Sequence, residues 1–303
     1  MSIVRLLLLV TLSVGGPFAK ASVSPWIDFQ IVEGFVVIPT EVHGIKGHSV
    51  IDTGSQVTGI AHDFVERNEL DLLRTRGIKI TGVNKTEVRP VYQDIPVTLM
   101  GSETVFSKVV DLNLGPRPQM LIGGDFLRTL YFQFDYPNRR LRAISRNAFD
   151  LKKLSNVPSK LDPGTKSPMA KIRLNDEKDV WLTIDTGNSS GIITKRAIAK
   201  KRQWLATYDA EPLAVVGAIG SGAMEIFRLP LLSIGPYNVR NARVVVEAEG
   251  ARPAIFKKTR GAGSRRVKSQ GLLGFDVLKN FLVTFDYRTG AMFIELPEEA
   301  APK

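Results

Sequence analysis

The sequence predicts a mostly β protein made of two similar β-barrel lobes in one chain, with short helices only. Three observations predict it. Asp-Thr-Gly occurs twice, at Asp52 and Asp185, each time at the end of an apolar run. A hydrophobic-hydrophobic-Gly motif recurs in each half, at Leu121-Ile122-Gly123 and Leu272-Leu273-Gly274, and each copy is followed by Phe-Asp-Tyr, at 134–136 and 285–287. The 26 glycines and 17 prolines punctuate short apolar stretches, a pattern of many strands and turns.

These matches define an internal repeat. Val50-Ile51-Asp52-Thr53-Gly54-Ser55 aligns with Thr183-Ile184-Asp185-Thr186-Gly187-Asn188 at an offset of 133 residues. Leu121 to Arg128 aligns with Leu272 to Lys279 at an offset of 151, and that register holds without a gap into Phe-Asp-Tyr. The change of offset places an insertion in the second half. Its candidate is the basic, aperiodic stretch 256–268, which reads as an exposed loop.

In chain order, residues 1–21 carry Arg5, an apolar stretch from Leu6 to Val14, and the small-residue site Ala19-Lys20-Ala21. This reads as a secretory signal peptide, with the mature chain starting near Ser22. Its apolar stretch falls short of the roughly 20 residues that span a bilayer, and no transmembrane segment is expected in the mature chain. The first lobe is expected over 22–145, a linker over 146–168, where Pro158, Pro163, Gly164 and Pro168 interrupt any periodicity, the second lobe over 169–297, and a tail over 298–303.

Within each lobe a hairpin leads into Asp-Thr-Gly. Phe35 to Ile38 runs to a turn at 44–47 and His48 to Ile51 returns. In the second lobe Ala170 to Leu174 turns at 175–178 and Val180 to Ile184 returns. Short helices are expected over 62–70 and 194–204, the latter with Thr194 as N-cap. Asp125 and Asp276 sit where a carboxylate accepts the free N–H groups of a helix start. Flap-like hairpins are expected around 82–92, with Gly82 and Tyr92, and at the glycine-rich run holding Gly217, Gly220 and Gly222.

The chemistry rests on the two aspartates. If the lobes pack about an approximate twofold axis, Asp52 and Asp185 meet. Two adjacent carboxylates share one proton. The pair then offers a base for water and an acid for a carbonyl, with neither covalent intermediate nor metal. Thr53 and Thr186 are placed to lock the loops. Gly54 and Gly187 permit close approach, and Ser55 and Asn188 are placed to donate to the outer carboxylate oxygens.

Competing chemistries fare worse. The chain has no cysteine, which removes disulfides, a thiol nucleophile and thiolate metal sites. His43 and His48 lack a third ligand at a recognisable spacing, so no metal or other cofactor is expected. No G-x-S-x-G motif occurs at a strand-to-helix turn, and the glycine-rich run at 217–222 lacks a phosphate-loop ending. The net charge of +11 favours anionic surfaces or acidic partners, reached through loop 256–268, but basicity alone does not indicate nucleic acid.

The paired hydrophobic-Asp-Thr-Gly motifs, each with its later hydrophobic-hydrophobic-Gly, resemble the pepsin and retroviral aspartic proteases. The run from Gly124 through Phe134-Asp135 to Asn138-Arg139-Arg140-Leu141 is pepsin-like in particular, and the size is similar to two-lobed bacterial retropepsin-like enzymes. The resemblance implies an aspartic endopeptidase acting on polypeptides, with Asp52 and Asp185 as its catalytic dyad. With the signal peptide, it implies a periplasmic or extracellular location in a bacterium. A monomer is expected, with a homodimer pairing like lobes as the alternative assembly. The alternative function is a non-catalytic peptide- or protein-binding module on the same fold.

Overall fold

The computed structural model describes residues 22–81, 86–115, 117–215, 222–251 and 267–297. The first lobe begins with β1 (Ile27–Asp28), β2 (Gln30–Val32), β3 (Phe35–Val42), β4 (Ile45–Ile51), β5 (Gly59–Ala61) and α1 (His62–Arg67). It continues through β6 (Arg74–Thr81), β7 (Thr86–Tyr92), β8 (Ile95–Leu99), β9 (Ser102–Phe106), β10 (Val109–Leu112), β11 (Met120–Ile122), α2 (Gly124–Leu127), β12 (Tyr131–Asp135) and β13 (Arg140–Ile144). Then come α3 (Leu151–Leu154), β14 (Ser159–Leu161), β15 (Pro168–Leu174), β16 (Lys178–Ile184), β17 (Ile192–Thr194), α4 (Arg196–Lys201), α5 (Trp204–Thr207) and β18 (Glu211–Val215). The last elements are β19 (Gly222–Ile234), β20 (Tyr237–Glu247), β21 (Gly271–Leu273), α6 (Phe275–Leu278), β22 (Leu282–Phe285) and β23 (Met292–Glu295). The fold is mostly β with short helices, as the sequence predicts.

The hairpin β3–β4 turns at His43 and Gly44, both at positive φ, the backbone of a tight two-residue turn whose twist suits paired strands. The turn comes one residue earlier than expected. In the second lobe β15 pairs with β16 around Asn175 and Asp176, also at positive φ. The hydrophobic-hydrophobic-Gly strand then enters beside the Asp-Thr-Gly strand. β11 runs parallel to β4 and antiparallel to β5, and β21 runs parallel to β16 and antiparallel to β17. Each aspartate is fixed by this insertion: Asp52 N donates to Ile122 O at 3.0 Å, and Asp185 N to Leu273 O at 2.9 Å.

In the second lobe six strands close into a barrel, β15-β16-β21-β17-β20-β19, sealed by the β15–β19 pairing. The first lobe follows the same circuit with its long strands broken. β7 and β8 together occupy the place of β19, and β9 and β10 the place of β20, with β8 returning to pair with β3. The break after β7 falls at Gln93-Asp94, where Asp94 has φ 52.

A third sheet, β1-β13-β12-β22-β23, joins the lobes. The antiparallel β12–β22 register pairs Phe132 with Phe285, Gln133 with Thr284 and Phe134 with Val283. Gln133 and Thr284 are 151 residues apart, the offset of the repeat at this point, so a local twofold axis passes between them. Their side chains hydrogen-bond across it at 2.8 Å. Phe134 and Phe285, related by the same offset, stack with centroids 5.5 Å apart and planes within 11°. Such a pair adds about 0.5–1.5 kcal/mol beyond area burial. One apolar core runs through both lobes and this sheet, from Phe29 and Ile38 through Phe134 to Leu182 and Val244.

Several expectations need correction. Helix α1 ends at Arg67, and the second predicted helix splits into α4 and α5 because Gln203 adopts φ 59. Thr194 is not an N-cap. It lies in β17, and Lys195 takes the cap position without a side-chain cap bond. Within the stretch 146–168 lie α3, capped by the Asp150 carboxylate on Lys152 N, and β14, paired with β15. Residues 1–21, the tail 298–303, and most of loop 256–268 lie outside the described residues.

Candidate active site

Strands β4 and β16 end at the same level, and the loops that follow face each other. Thr53 N donates to Thr186 Oγ1 at 3.0 Å, and Thr186 N donates to Thr53 Oγ1 at 3.0 Å. Each hydroxyl donates onward to the opposite strand: Thr53 Oγ1 to Ile184 O at 2.8 Å, and Thr186 Oγ1 to Ile51 O at 2.6 Å. All four bonds are buried, so each threonine satisfies the other lobe's main chain. This reciprocal lock brings together the two residues the sequence assigns to it.

The glycines do what their lack of a side chain permits. A Cβ on Gly54 would lie 2.6 Å from Asp185 Oδ1, and one on Gly187 would lie 2.6 Å from Asp52 Cγ. Each loop therefore presses its backbone against the opposite carboxylate. Gly54 N and Ser55 N donate to Asp52 Oδ1 at 2.8 and 3.0 Å, and Gly187 N donates to Asp185 Oδ1 at 2.9 Å. Gly54 N–H also lies near the Asp185 carboxyl.

The carboxyl groups of Asp52 and Asp185 are brought together, each lying against the glycine of the opposite loop, and two carboxyls so placed share one proton. Burial raises both above the ordinary carboxylate value of 3.8. For Asp52 the N–H groups of Ser55 and Gly54 and the neighbouring Asp185 carboxyl pull back against that rise. For Asp185 the charge of Asp52 adds to burial, and the group is raised well above its usual range. Asp185 is buried and Asp52 half-buried. Such a pair can hold a nucleophilic water as base and protonate a carbonyl oxygen as acid.

Two supporting side chains behave differently from expectation. Ser55 Oγ donates to Val57 O at 2.8 Å rather than to Asp52; only its main-chain N–H reaches the carboxylate. Asn188 Oδ1 accepts from Ser190 N and Oγ, and its main-chain N turns to Asp185 O. In both cases the loop's own tight turn takes the side chain. Asp125 meets the expectation, accepting Phe126 N at 2.9 Å as well as Thr58 N and Thr58 Oγ1. Asp276 does not. Gly191 stands where Thr58 would, offering no hydroxyl, and Asp276 pairs with Arg243 and Lys279 instead.

Both expected flap regions form hairpins, β6–β7 and β18–β19. Tyr92 stands at the foot of the first, opposite Arg74, with its hydroxyl on Asp111 Oδ2 at 3.0 Å, so it is not a residue of the hairpin tip. Gly222 opens β19 opposite Val215. Gly82, Gly217 and Gly220 lie outside the described residues. His43 occupies the β3–β4 turn and His48 lies in β4. Among the described residues no group of three or more His, Asp or Glu is placed to hold a metal.

The sequence reading missed two layers around the loops. Tyr287 Oη donates to Ser55 O at 3.1 Å and accepts from Gln56 Nε2 at 3.0 Å, and Gln56 also reaches Ser167 Oγ at 2.5 Å. Tyr287 belongs to the Phe-Asp-Tyr motif, noted only as a register marker. The second layer is Asp111, a buried carboxylate held by Arg89, Tyr92 and His62. No local pattern marks it. A hollow of about 500 Å³ on the first lobe, bordered by Thr40, Glu41, Lys46 and His48, involves neither aspartate.

Residues 170–277 match the family model described as aspartyl protease. Among curated proteins there is no match. Among solved structures the chain is similar to a retropepsin-like aspartic protease from Rickettsia conorii, with 19% identity, 42% of this chain and 97% of that chain covered, and a TM-score of 0.30. The family match covers the second lobe from β15 to α6, so the segment that holds Asp185 and its loop is similar to the aspartyl protease family.

Proposed function

We propose that the protein is an exported aspartic endopeptidase that hydrolyses peptide bonds with water activated by Asp52 and Asp185 in one chain. The observation that carries this reading is the convergence of the two carboxyl groups, each lying against the glycine of the opposite loop and held there by the reciprocal Thr53–Thr186 lock. The ionised carboxylate takes a proton from water as the water attacks the scissile carbonyl carbon. The protonated carboxyl donates to the carbonyl oxygen, giving a neutral tetrahedral diol. The protonated carboxyl then gives its proton to the amide nitrogen while the ionised one takes a proton from a diol hydroxyl; the C–N bond breaks to an amine and a carboxylic acid, and the dyad again holds one shared proton.

The intrachain threonine bonds favour a dyad formed within one molecule over pairing of like lobes between chains. Export rests on the signal-like residues 1–21. No helix among the described residues is long and apolar enough to cross a membrane.

The test is hydrolysis of a peptide library by the purified mature protein across pH, beside Asp52→Asn and Asp185→Asn. Each variant is expected to lose cleavage, and a transition-state mimic of the statine type is expected to block the wild type. Undiminished cleavage by either variant overturns the reading. Binding of peptides by wild type and both variants, without hydrolysis by any of them, points to a non-catalytic peptide-binding module.

A further inference from the structure

The two loops are not equivalent. Asp52 Oδ1 accepts two main-chain N–H groups of its own loop, from Gly54 and Ser55. Asp185 Oδ1 accepts one, from Gly187, because Asn188 N turns to the main-chain oxygen of Asp185 at 3.1 Å. The next peptide explains the difference. Ser55 O is held twice, by Gly124 N at 2.9 Å and by Tyr287 Oη at 3.1 Å. Asn188 O accepts Phe275 N at 2.9 Å and, among the described residues, no tyrosine.

The counterpart tyrosine exists. Tyr136 is the first Phe-Asp-Tyr tyrosine as Tyr287 is the second, yet its buried hydroxyl has no hydrogen-bond partner among the described residues. Three substitutions at matching positions account for this. Ser189 stands where the first loop has Gln56, Gly34 stands where the second lobe has Ser167, and Phe275 stands where the first lobe has Gly124. A Cβ on Gly124 would collide with the Tyr287 ring, so glycine is what lets that tyrosine reach Ser55. On the other side the Phe275 ring packs against Tyr136 at 6.1 Å, and Phe29 packs at 5.8 Å.

We infer that Tyr287, acting through the Ser55 main chain and braced by Gln56 and Ser167, is a positioning residue that makes the dyad unequal, holding Asp52 as the carboxylate and leaving the proton with Asp185. The inference deepens the protease reading and rests on it for its kinetic consequence. The ionisable and charged groups around the pair are the two aspartates, Tyr136 beside Asp185, Tyr287 beside Asp52, and Arg128, which lies over the Tyr287 ring at 5.6 Å. Burial pushes the Tyr287 hydroxyl up to about 12, so it stays a donor throughout the working range of the carboxylates.

The experiment compares Tyr287→Phe with Tyr136→Phe, reading the lower pKa of the pair by carbon-13 carboxyl NMR and the acid limb of kcat/KM. Tyr287→Phe is expected to raise that pKa and move the limb upward by about one pH unit, roughly a tenfold loss on the limb. Tyr136→Phe is expected to move neither. Gln56→Leu and Gly124→Ala, which loosen the brace without removing the hydroxyl, are expected to shift the limb in the same direction and serve if Tyr287→Phe does not fold. An unmoved pKa in folded Tyr287→Phe, or in both brace variants, overturns the inference, as does an equal shift in Tyr136→Phe. The NMR titration stands without turnover, so a wild type that cleaves nothing defeats the protease reading while leaving the positioning role decided on its own.

Discussion

The two lobes run one strand circuit in two materials. At the register position where β10 meets Ile60, the first lobe has Asp111; where β20 meets Ile193, the second has Val245. Val245 packs with Ile193 and Met224, and its strands β19 and β20 run unbroken for 13 and 11 residues. Asp111 is equally buried but carries Arg89 Nη2 at 2.5 Å, and Tyr92 and His62 at 3.0 Å each, beside the break between β7 and β8. An apolar ring closes with continuous strands. A buried carboxylate forces its neighbours to supply donors, and here they come from β7 and α1. The difference teaches that the same topology can anchor a hairpin by packing in one lobe and by a hydrogen-bonded cluster in the other.

The sharpest test of where the lobes agree is the dyad itself. Asp52→Asn and Asp185→Asn should each lower kcat by about a thousandfold or more, within the range typical of general acid–base groups, and to a similar degree. A second readout separates chemistry from folding. A carboxyl raised above 3.8 in the folded state binds its proton more tightly there than in the unfolded chain. Its contribution therefore favours the fold at low pH and is lost as pH rises through the folded pKa. Asp185→Asn should remove that loss, so the variant should gain stability relative to wild type toward neutral pH in denaturant titrations. A parallel pH profile for both proteins would contradict this.

Asp111 is where the lobes differ most. Asp111→Ala leaves Arg89 without its buried partner and should cost about 3–5 kcal/mol in urea unfolding. Val245→Ala removes two methyl groups from a packed site and should cost less, about 1–3 kcal/mol. Equal costs would mean that the cluster anchors nothing.

The threonine lock should respond evenly. Thr53→Val and Thr186→Val each delete one hydroxyl and leave the facing N–H unpaired, for about 1–3 kcal/mol apiece. A marked inequality would show that the two halves of the lock are unlike. The smallest effect belongs to His62. Its hydrogen bond to Asp111 raises its pKa above 6.5. That stabilisation is full below 6.5 and fades as pH rises through the folded value. His62 is 41% exposed, so solvent screening keeps the difference between wild type and His62→Gln under about 1 kcal/mol.

Much of this was legible in the chain. Strand alternation, the paired glycines and the two motif offsets give the barrels, the loops that meet and the residues Asp52, Asp185, Thr53 and Thr186. The capping role of Asp125 was readable because it depends on neighbours a few residues away. The same reading failed for Asp276, whose behaviour depends on Gly191 and on Arg243 in another strand. It failed for Tyr92, since its partner Asp111 is 19 residues away on a strand that pairs with its own.

By itself the sequence determined what is local. Side-chain period, turn chemistry and glycine freedom act within a few residues, so contiguous motifs encode them. The tertiary structure alone decided which groups meet from far along the chain. Tyr287 reaches Ser55 across 232 positions, while Tyr136, in the same motif, finds no partner among the described residues. Whether a hydroxyl arrives depends on the room left by Gly124 or taken by Phe275, a matter of close packing that no single stretch of sequence contains.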